Sequence, residues 1–311
     1  MTAKFLPRRD VAGISISHPD RVLFPSAGIT KFGLAQYYES IADWILPHLI
    51  DRPLTIVRCP AGVPPTGARK GVDCFYMKHA KVWGPAPIRR ERIREQTKTG
   101  EYLIVDTLPA LVGLVQIGVL EVHTWNSQFA RVERPDRIVI DLDPGSDVTW
   151  PTIVDAARLA RQMLEALDLT SFVKTTGGRG LHVVAPIAPR ADWAECLDFA
   201  RAFAQMLTRR QPDLFTERFA KIGRDRRILV DYLRNNRTNT SIAAFSTRAR
   251  PEAPVSVPLA WSELSAARTP DRFTIRTVPG RLARLKRDPW SGYWTSRQPL
   301  PRHAIPALES L

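Results

Sequence analysis

A mixed α/β fold, of the α/β or α+β kind, is expected for these 311 residues, and three observations predict it. Segments rich in Val, Ile and Leu alternate irregularly with stretches of helical period, which suits a mixed sheet better than a regular parallel one. The composition, 44% hydrophobic and 24% charged, is that of a globular chain able to bury a core. The most strand-like run, IVIDLDP at 138–144, halts at Pro144-Gly145, and a helical pattern begins near 151.

Residues 14–28 predict a short strand and a Pro-containing turn. Thr30 should cap a helix marked by Leu34, Tyr37, Tyr38, Ile41, Ile45 and Leu49, which Pro47 should end or kink. Strands are expected at 53–58 and 102–106. A loop is expected at 60–73, and an apolar segment at 108–120 runs into VLEVHTW. Pro151 suits the first turn of a helix whose buried face carries Ile153, Ala157, Ala160, Met163, Leu164 and Leu167. Strands at 171–175 and 181–187 flank a Gly-rich turn. Asp192 can cap a long helix, and 227–233 is the last clear strand. The Pro- and Arg-rich end is expected to wrap the body, because Trp290, Tyr293 and Trp294 are too apolar a cluster for a disordered tail.

The 45 Lys and Arg outnumber the 31 Asp and Glu, a net +14 that suits a polyanionic partner. No apolar run is long enough to span a bilayer, and the N-terminus lacks a signal peptide's apolar core, so no membrane partner and a cytoplasmic, nucleoid-associated location are expected. The three cysteines, Cys59, Cys74 and Cys196, form no CxxC pair. They read as reduced core residues, not as a zinc ribbon or a disulfide framework.

Three segments can carry chemistry. Asp141 and Asp143, two apart on a strand, share a face, with Cα atoms roughly 6.5 Å apart. Two such carboxylates repel unless a cation compensates them, and hard oxygen donors suit Mg²⁺ or Mn²⁺. In KTTGGRGLHVV, 174–184, Gly177, Gly178 and Gly180 can expose backbone N–H groups to phosphate, with Arg179 and His182 alongside. It is no Walker loop, since GxxxxGK[ST] is absent and a strand follows it. Asp231 closes a strand, and Arg234, Arg237, Arg248 and Arg250 follow among Asn and Thr, the composition of a phosphate clamp.

The order of these elements is that of the archaeo-eukaryotic primase superfamily. HPDRVLFP (18–25), GITKFGLAQYY (28–38), LEVHTWN (120–126), DLDP (141–144), TTGGRGLHV (175–183) and VDYLRN (230–235) resemble the polymerase domain of bacterial ligase D, over roughly 14–295. That resemblance implies a primase-polymerase fold: an RRM-like mixed-sheet core with an added α/β subdomain and the active site in the cleft between them. It implies one catalytic domain at 12–295 and a tail at 296–311. It also implies template-directed addition of nucleotides, with ribonucleotides preferred, to DNA 3′ ends at breaks or gaps in non-homologous end joining.

Residue by residue, Asp141, Asp143 and Asp231 match the family's carboxylates for two Mn²⁺ or Mg²⁺ ions. Thr176, Arg179, His182, Arg234 and Arg248 match residues at the nucleoside triphosphate, and His123 one near its sugar and phosphates. Arg21 and Lys31 match a site for the 5′-phosphate of broken or gapped DNA, and Phe75 an aromatic against the template. Ku and a DNA ligase are the implied partners. The family often has Ser at the position of Thr176, Lys at those of Arg179 and Arg21, and Gly at that of Asn236. No KxDG, the ligase's adenylating motif, occurs in the sequence.

Rival readings are a sugar-nucleotide transferase using its DxD, a polymerase-β-like transferase, a stand-alone primase-polymerase in replication or gap repair, and a non-catalytic DNA-end-binding module. The first leaves the +14 charge unexplained. The second needs Gly-Ser before the carboxylates, whereas Gly145-Ser146 follows them.

Overall fold

A computed structural model describes residues 8–65, 74–79, 87–220 and 222–301. The chain forms two compact units. The first comprises Met1–Thr124, Ile242–Val255 and Phe273–Leu285, the second Trp125–Ser241, Ser256–Arg272 and Lys286–Leu311. As expected, helices and strands mix in both.

The first unit opens with two small hairpins, β1 (Arg8–Val11) with β2 (Ile14–Ser17) and β3 (Val22–Phe24) with β4 (Ile29–Thr30). Helices α1 (Lys31–Ser40) and α2 (Ala42–Leu49) follow. Then come β5 (Leu54–Arg58), β6 (Phe75–Met77), β7 (Arg89–Arg94), β8 (Thr99–Ile104), α3 (Leu108–Gln116) and β9 (Val119–Thr124). Its sheet has the order β15-β9-β5-β8-β7, with β6 also paired to β5; β15 (Ser241–Ile242) lies where the chain re-enters this unit.

Thr30 caps α1 as expected, its hydroxyl accepting from Gly33 N at 3.1 Å. The single helix predicted through Leu49 is instead two. The break falls at Ile41, whose backbone leaves the helical region (φ −121°, ψ 18°), and Pro47 sits inside α2 without ending it. Ile41 is buried, so the core fixes the bend that the helical period alone conceals. Strand β7, RRERIR, escapes a reading based on apolar alternation because only Ile93 of the six is buried; its charges suit a sheet edge.

The cysteine expectation is corrected. Cys59 and Cys74 form a disulfide; Cys196 alone is a free buried thiol. The cause is register. β5 and β6 pair antiparallel with Arg58 opposite Phe75, so the next residues out, Cys59 and Cys74, meet across the hairpin mouth. Fifteen residues of sequence separation hide a neighbourhood that pairing creates.

The second unit contains β10 (Arg137–Pro144), α4 (Trp150–Glu165), β11 (Phe172–Thr175), β12 (Leu181–Pro186), α5 (Trp193–Arg210), β13 (Phe215–Thr216), β14 (Ile228–Asp231) and β16 (Pro258–Leu259). Its six strands run β13-β14-β10-β12-β11-β16. The β13–β14 pair is parallel and the neighbouring pairs antiparallel, which gives the mixed sheet expected. Asp192 caps α5 in a full capping box with Glu195. Trp290 and Tyr293 bury against Val139, Val184 and Phe172, and Trp290 Nε1 donates to Val173 O at 2.9 Å, so the late aromatics do fold onto this sheet. Among the described residues no helix is long and apolar enough to cross a membrane.

Candidate active site

The central sheet of the second unit explains why the sequence motifs converge. Residues directly opposite one another on antiparallel strands share a face. Asp141 on β10 lies opposite Asp231 on β14 and opposite His182 on β12, and His182 lies opposite Lys174 on β11. One row across four strands therefore reads Asp231, Asp141, His182, Lys174. Asp143 shares the Asp141 face by alternation, while Leu142 between them is fully buried.

The row is tightly paired. His182 Nε2 lies 3.4 Å from Asp141 Oδ1. Arg234 spans two carboxylates, with Nε 2.9 Å from Asp141 Oδ2 and Nη2 2.9 Å from Asp231 Oδ2. Its position follows from the 3₁₀ turn Tyr232–Asn235, which directly continues β14. The Asp231 carboxylate accepts from Leu233 N, and the buried Asn235 amide both accepts from Val139 N and donates to Val139 O at 2.8 Å. Arg224 pairs with Asp143 at 3.1 Å, and Lys174 donates to Ser256 Oγ at 2.6 Å.

Charge and burial pull these groups apart. Burial alone would raise the Asp141 carboxyl, but His182 and Arg234 outweigh it and hold it well below the carboxylate range. Asp143 is raised, by burial and then by the charge of Asp141. Burial pushes Asp231 to about 6, with the Asp141 and Asp143 charges adding to it. Burial and the Lys174 ammonium bring His182 down to about 4, so the ring is neutral at pH 7. His182 Nδ1 is buried without a hydrogen-bond partner.

The Gly-rich turn forms as expected. Gly177 takes a positive φ of 66°, open to glycine, and a Cβ at Gly180 would lie 2.5 Å from Leu142 O on the aspartate strand. Thr176 Oγ1 accepts from Gly178 N and donates to Gly180 O, which closes the turn. Arg179 donates to Ser146 O and Val148 O, both at 2.8 Å, and so fastens the turn to the loop beyond the aspartates.

In the first unit, His123 and Arg248 come together on a residue that motif reading passed over. Glu121 accepts from His123 Nε2 at 2.8 Å and pairs with Arg248 Nε at 3.0 Å. Arg21 and Lys31 also meet: Lys31 N donates to Arg21 O at 2.8 Å beside the β3–β4 hairpin. Arg21 Nη1 donates to Pro60 O. Lys31 is only 5% exposed, and its ammonium reaches Ser17 O at 3.0 Å and Gln116 Oε1 at 2.8 Å. Burial, and then the like charge of Arg21, lower Lys31 to about 8. Phe75 is 48% exposed and Tyr76 next to it 56%, an unusual outlay of aromatic surface. The Tyr76 ring stands edge-on to His123 at 6.0 Å. Arg237, by contrast, pairs with Glu133 at 2.6 Å.

Sequence reading missed Lys174, Glu121, Arg224 and Asn235. Lys174, Glu121 and Asn235 all lay inside the motif segments, and for Lys174 and Glu121 the signal was a charged residue among the apolar residues of a strand. For Arg224, in a run of basic residues, no such signal exists.

Residues 30–290 match the family model described as LigD, primase-polymerase domain. The chain is 38% identical over 94% of its length to the multifunctional non-homologous end joining protein LigD of Pseudomonas aeruginosa, and covers 34% of that protein. It is 30% identical over 92% of its length to the bifunctional non-homologous end joining protein LigD of Bacillus subtilis, and covers 45% of it. The chain thus spans from a third to under half of these relatives. The polymerase domain of Mycobacterium tuberculosis ligase D, solved in complex with DNA, superposes with a TM-score of 0.78 at 29% identity, over 87% of this chain and 94% of that one.

Proposed function

Because the chain belongs to the LigD primase-polymerase domain family, and is therefore a nucleotidyltransferase, we propose that it extends DNA 3′ ends at breaks and gaps, template-directed, in non-homologous end joining. Residues 12–295 form the catalytic part, ribonucleotides are the preferred substrates, and Ku and a DNA ligase are the partners. The observation that carries this reading is the row Asp231, Asp141, His182, Lys174 with Asp143 on the same face. Carboxylates set directly beside cationic and imidazole side chains suit a substrate that is a metal-bound polyphosphate.

The donor chemistry of the three aspartates suits divalent ions, although among the described residues no group of three such side chains stands ready to hold one. Asp141, Asp143 and Asp231 offer hard oxygens, and burial raises the Asp231 carboxyl, with the charges of the first two adding to it against the opposing Arg234. Mg²⁺ or Mn²⁺ held there would activate the primer 3′-hydroxyl and offset charge on the triphosphate. Thr176, Arg179, His182, Arg234, His123 and Arg248 then bind and orient the nucleotide as pyrophosphate leaves. Arg234 already grips two carboxylates, so it links the metal residues to the phosphate residues. Phe75 supplies an exposed face for a template base.

A primer-extension assay with labelled nucleotides and Mn²⁺ tests the proposal. Templated addition, faster with ribonucleotides, is expected. Binding of DNA ends without any addition would favour the non-catalytic module instead.

The 5′-phosphate site makes its own prediction. Lys31 ionises near 8, so it is charged at pH 7 and loses that charge as pH rises, while a phosphate monoester keeps its second charge above about 6. Preference for a gapped substrate with a 5′-phosphate over its 5′-hydroxyl twin should be greatest near pH 7 and decline by pH 9. The Arg21→Ala/Lys31→Ala variant should lose the preference yet still extend a simple primer-template. Equal weakening on both substrates would reduce the two residues to general steering charges.

A further inference from the structure

Glu121 lies on β9, two residues before His123, and so shares its face. Its carboxylate is nearly closed off, with a side chain 8% exposed. A buried carboxylate is costly unless it is paired and hydrogen-bonded, and two hydrogen-bond donors and one ion-paired guanidinium meet it. His123 Nε2 lies at 2.8 Å, Arg248 Nε at 3.0 Å, and the Ala249 backbone N–H at 2.7 Å. The segment carrying Arg248 is itself stitched to β9. Ala243 N donates to Val122 O, Val122 N to Ser246 Oγ, and Thr247 Oγ1 to Leu120 O. The backbone thus brings residues from two distant stretches alongside, and one carboxylate joins their side chains.

We propose that Glu121 is a positioning residue that holds His123 and Arg248 in the orientation required to bind the nucleotide, a reading that rests on the nucleotide assignment of those two residues. It touches no substrate. Its role is to fix the His123 ring and the long Arg248 side chain, both otherwise rotatable, before the nucleotide arrives, which saves their ordering on binding. Burial works against the Glu121 charge, yet His123 and Arg248 bring the carboxyl down to about 2, so the anchor stays ionised throughout the working pH range.

The test is a set of nucleotide-binding and steady-state measurements on Glu121→Gln and Glu121→Asp, with and without Arg248→Ala and His123→Ala. Equilibrium binding of a fluorescent ribonucleoside triphosphate with Mn²⁺, DNA-end affinity and Tm are read beside KM and kcat. Glu121→Gln should raise the nucleotide Kd and KM about tenfold or more, the scale of a lost charged contact, with DNA affinity unchanged. The effect should shrink towards none in the His123→Ala/Arg248→Ala background, because nothing remains to be positioned. Glu121→Asp keeps the charge but shortens the reach, so a raised KM at unchanged Tm supports the role even where the Gln variant does not fold. Wild-type Kd and KM in either folded variant would overturn the proposal. So would a Glu121→Gln effect undiminished in the double-mutant background. Neither result touches the polymerase reading, which stands or falls on primer extension by the wild type.

Discussion

Asp141→Ala is expected to abolish nucleotide addition, by about a thousandfold or more, while leaving DNA binding intact or slightly tighter. Asp141 is the hinge of the carboxylate row, paired across the sheet with both Asp231 and His182. Its carboxyl is held well below the usual range by His182 and Arg234 against the pull of burial, so it remains a full anion at any working pH. Losing a carboxylate that would hold a catalytic ion removes several kcal/mol of charge stabilisation, and each 1.4 kcal/mol or so is about tenfold in rate. Asp143→Ala should behave alike, since in the proposed site it would supply the second oxygen donor on the same strand face. DNA affinity moves the other way because removing a negative charge beside phosphate weakens repulsion. Single-turnover extension and fluorescence anisotropy on one DNA substrate separate the two effects. Near wild-type extension by either variant would remove the carboxylates from the mechanism.

Loss of Arg234 should be nearly as severe, and visible without any reaction. Arg234 bridges Asp141 and Asp231 at 2.9 Å to each, both carboxylates being largely buried. Breaking a buried pair costs about 3–5 kcal/mol, and Arg234, being over a third exposed, brings that to about 2. Arg234→Ala should therefore lower Tm by roughly 5 °C when measured with a chelator. Saturating Mn²⁺ should restore most of that difference, because an ion then supplies the missing positive charge. Nucleotide addition should still fall about a hundredfold, since the proposed charged contact to the triphosphate would also be lost. Arg234→Lys should recover little, as a lysine cannot bridge two carboxylates with a rigid fork. A variant that melts like the wild type in chelator would show that the bridge is not formed in solution.

What the sequence by itself determined is local. Alternation placed Asp141 and Asp143 on one face of a strand, the side-chain oxygens of Thr30 and Asp192 marked helix starts, and Gly177 and Gly180 marked a turn that only glycine suits. Motif order then singled out Asp231, Arg234, His182 and Arg248 as candidates. Each of these signals rests on neighbours within a few residues, where backbone geometry alone dictates which side chains meet.

Only the tertiary structure decided what crosses between strands. It joined Cys59 to Cys74 through the β5–β6 register, broke the first long helix at Ile41 instead of Pro47, and kept the charged β7 as a sheet edge. It set Lys174 in line with His182, drew Glu121 against His123 and Arg248, and bolted Asn235 to β10 beneath Arg234. Pairing register and burial are properties of the folded chain. A one-residue slip would turn every one of these side chains to the opposite face, and nothing in the spacing of the residues along the chain encodes which slip is made.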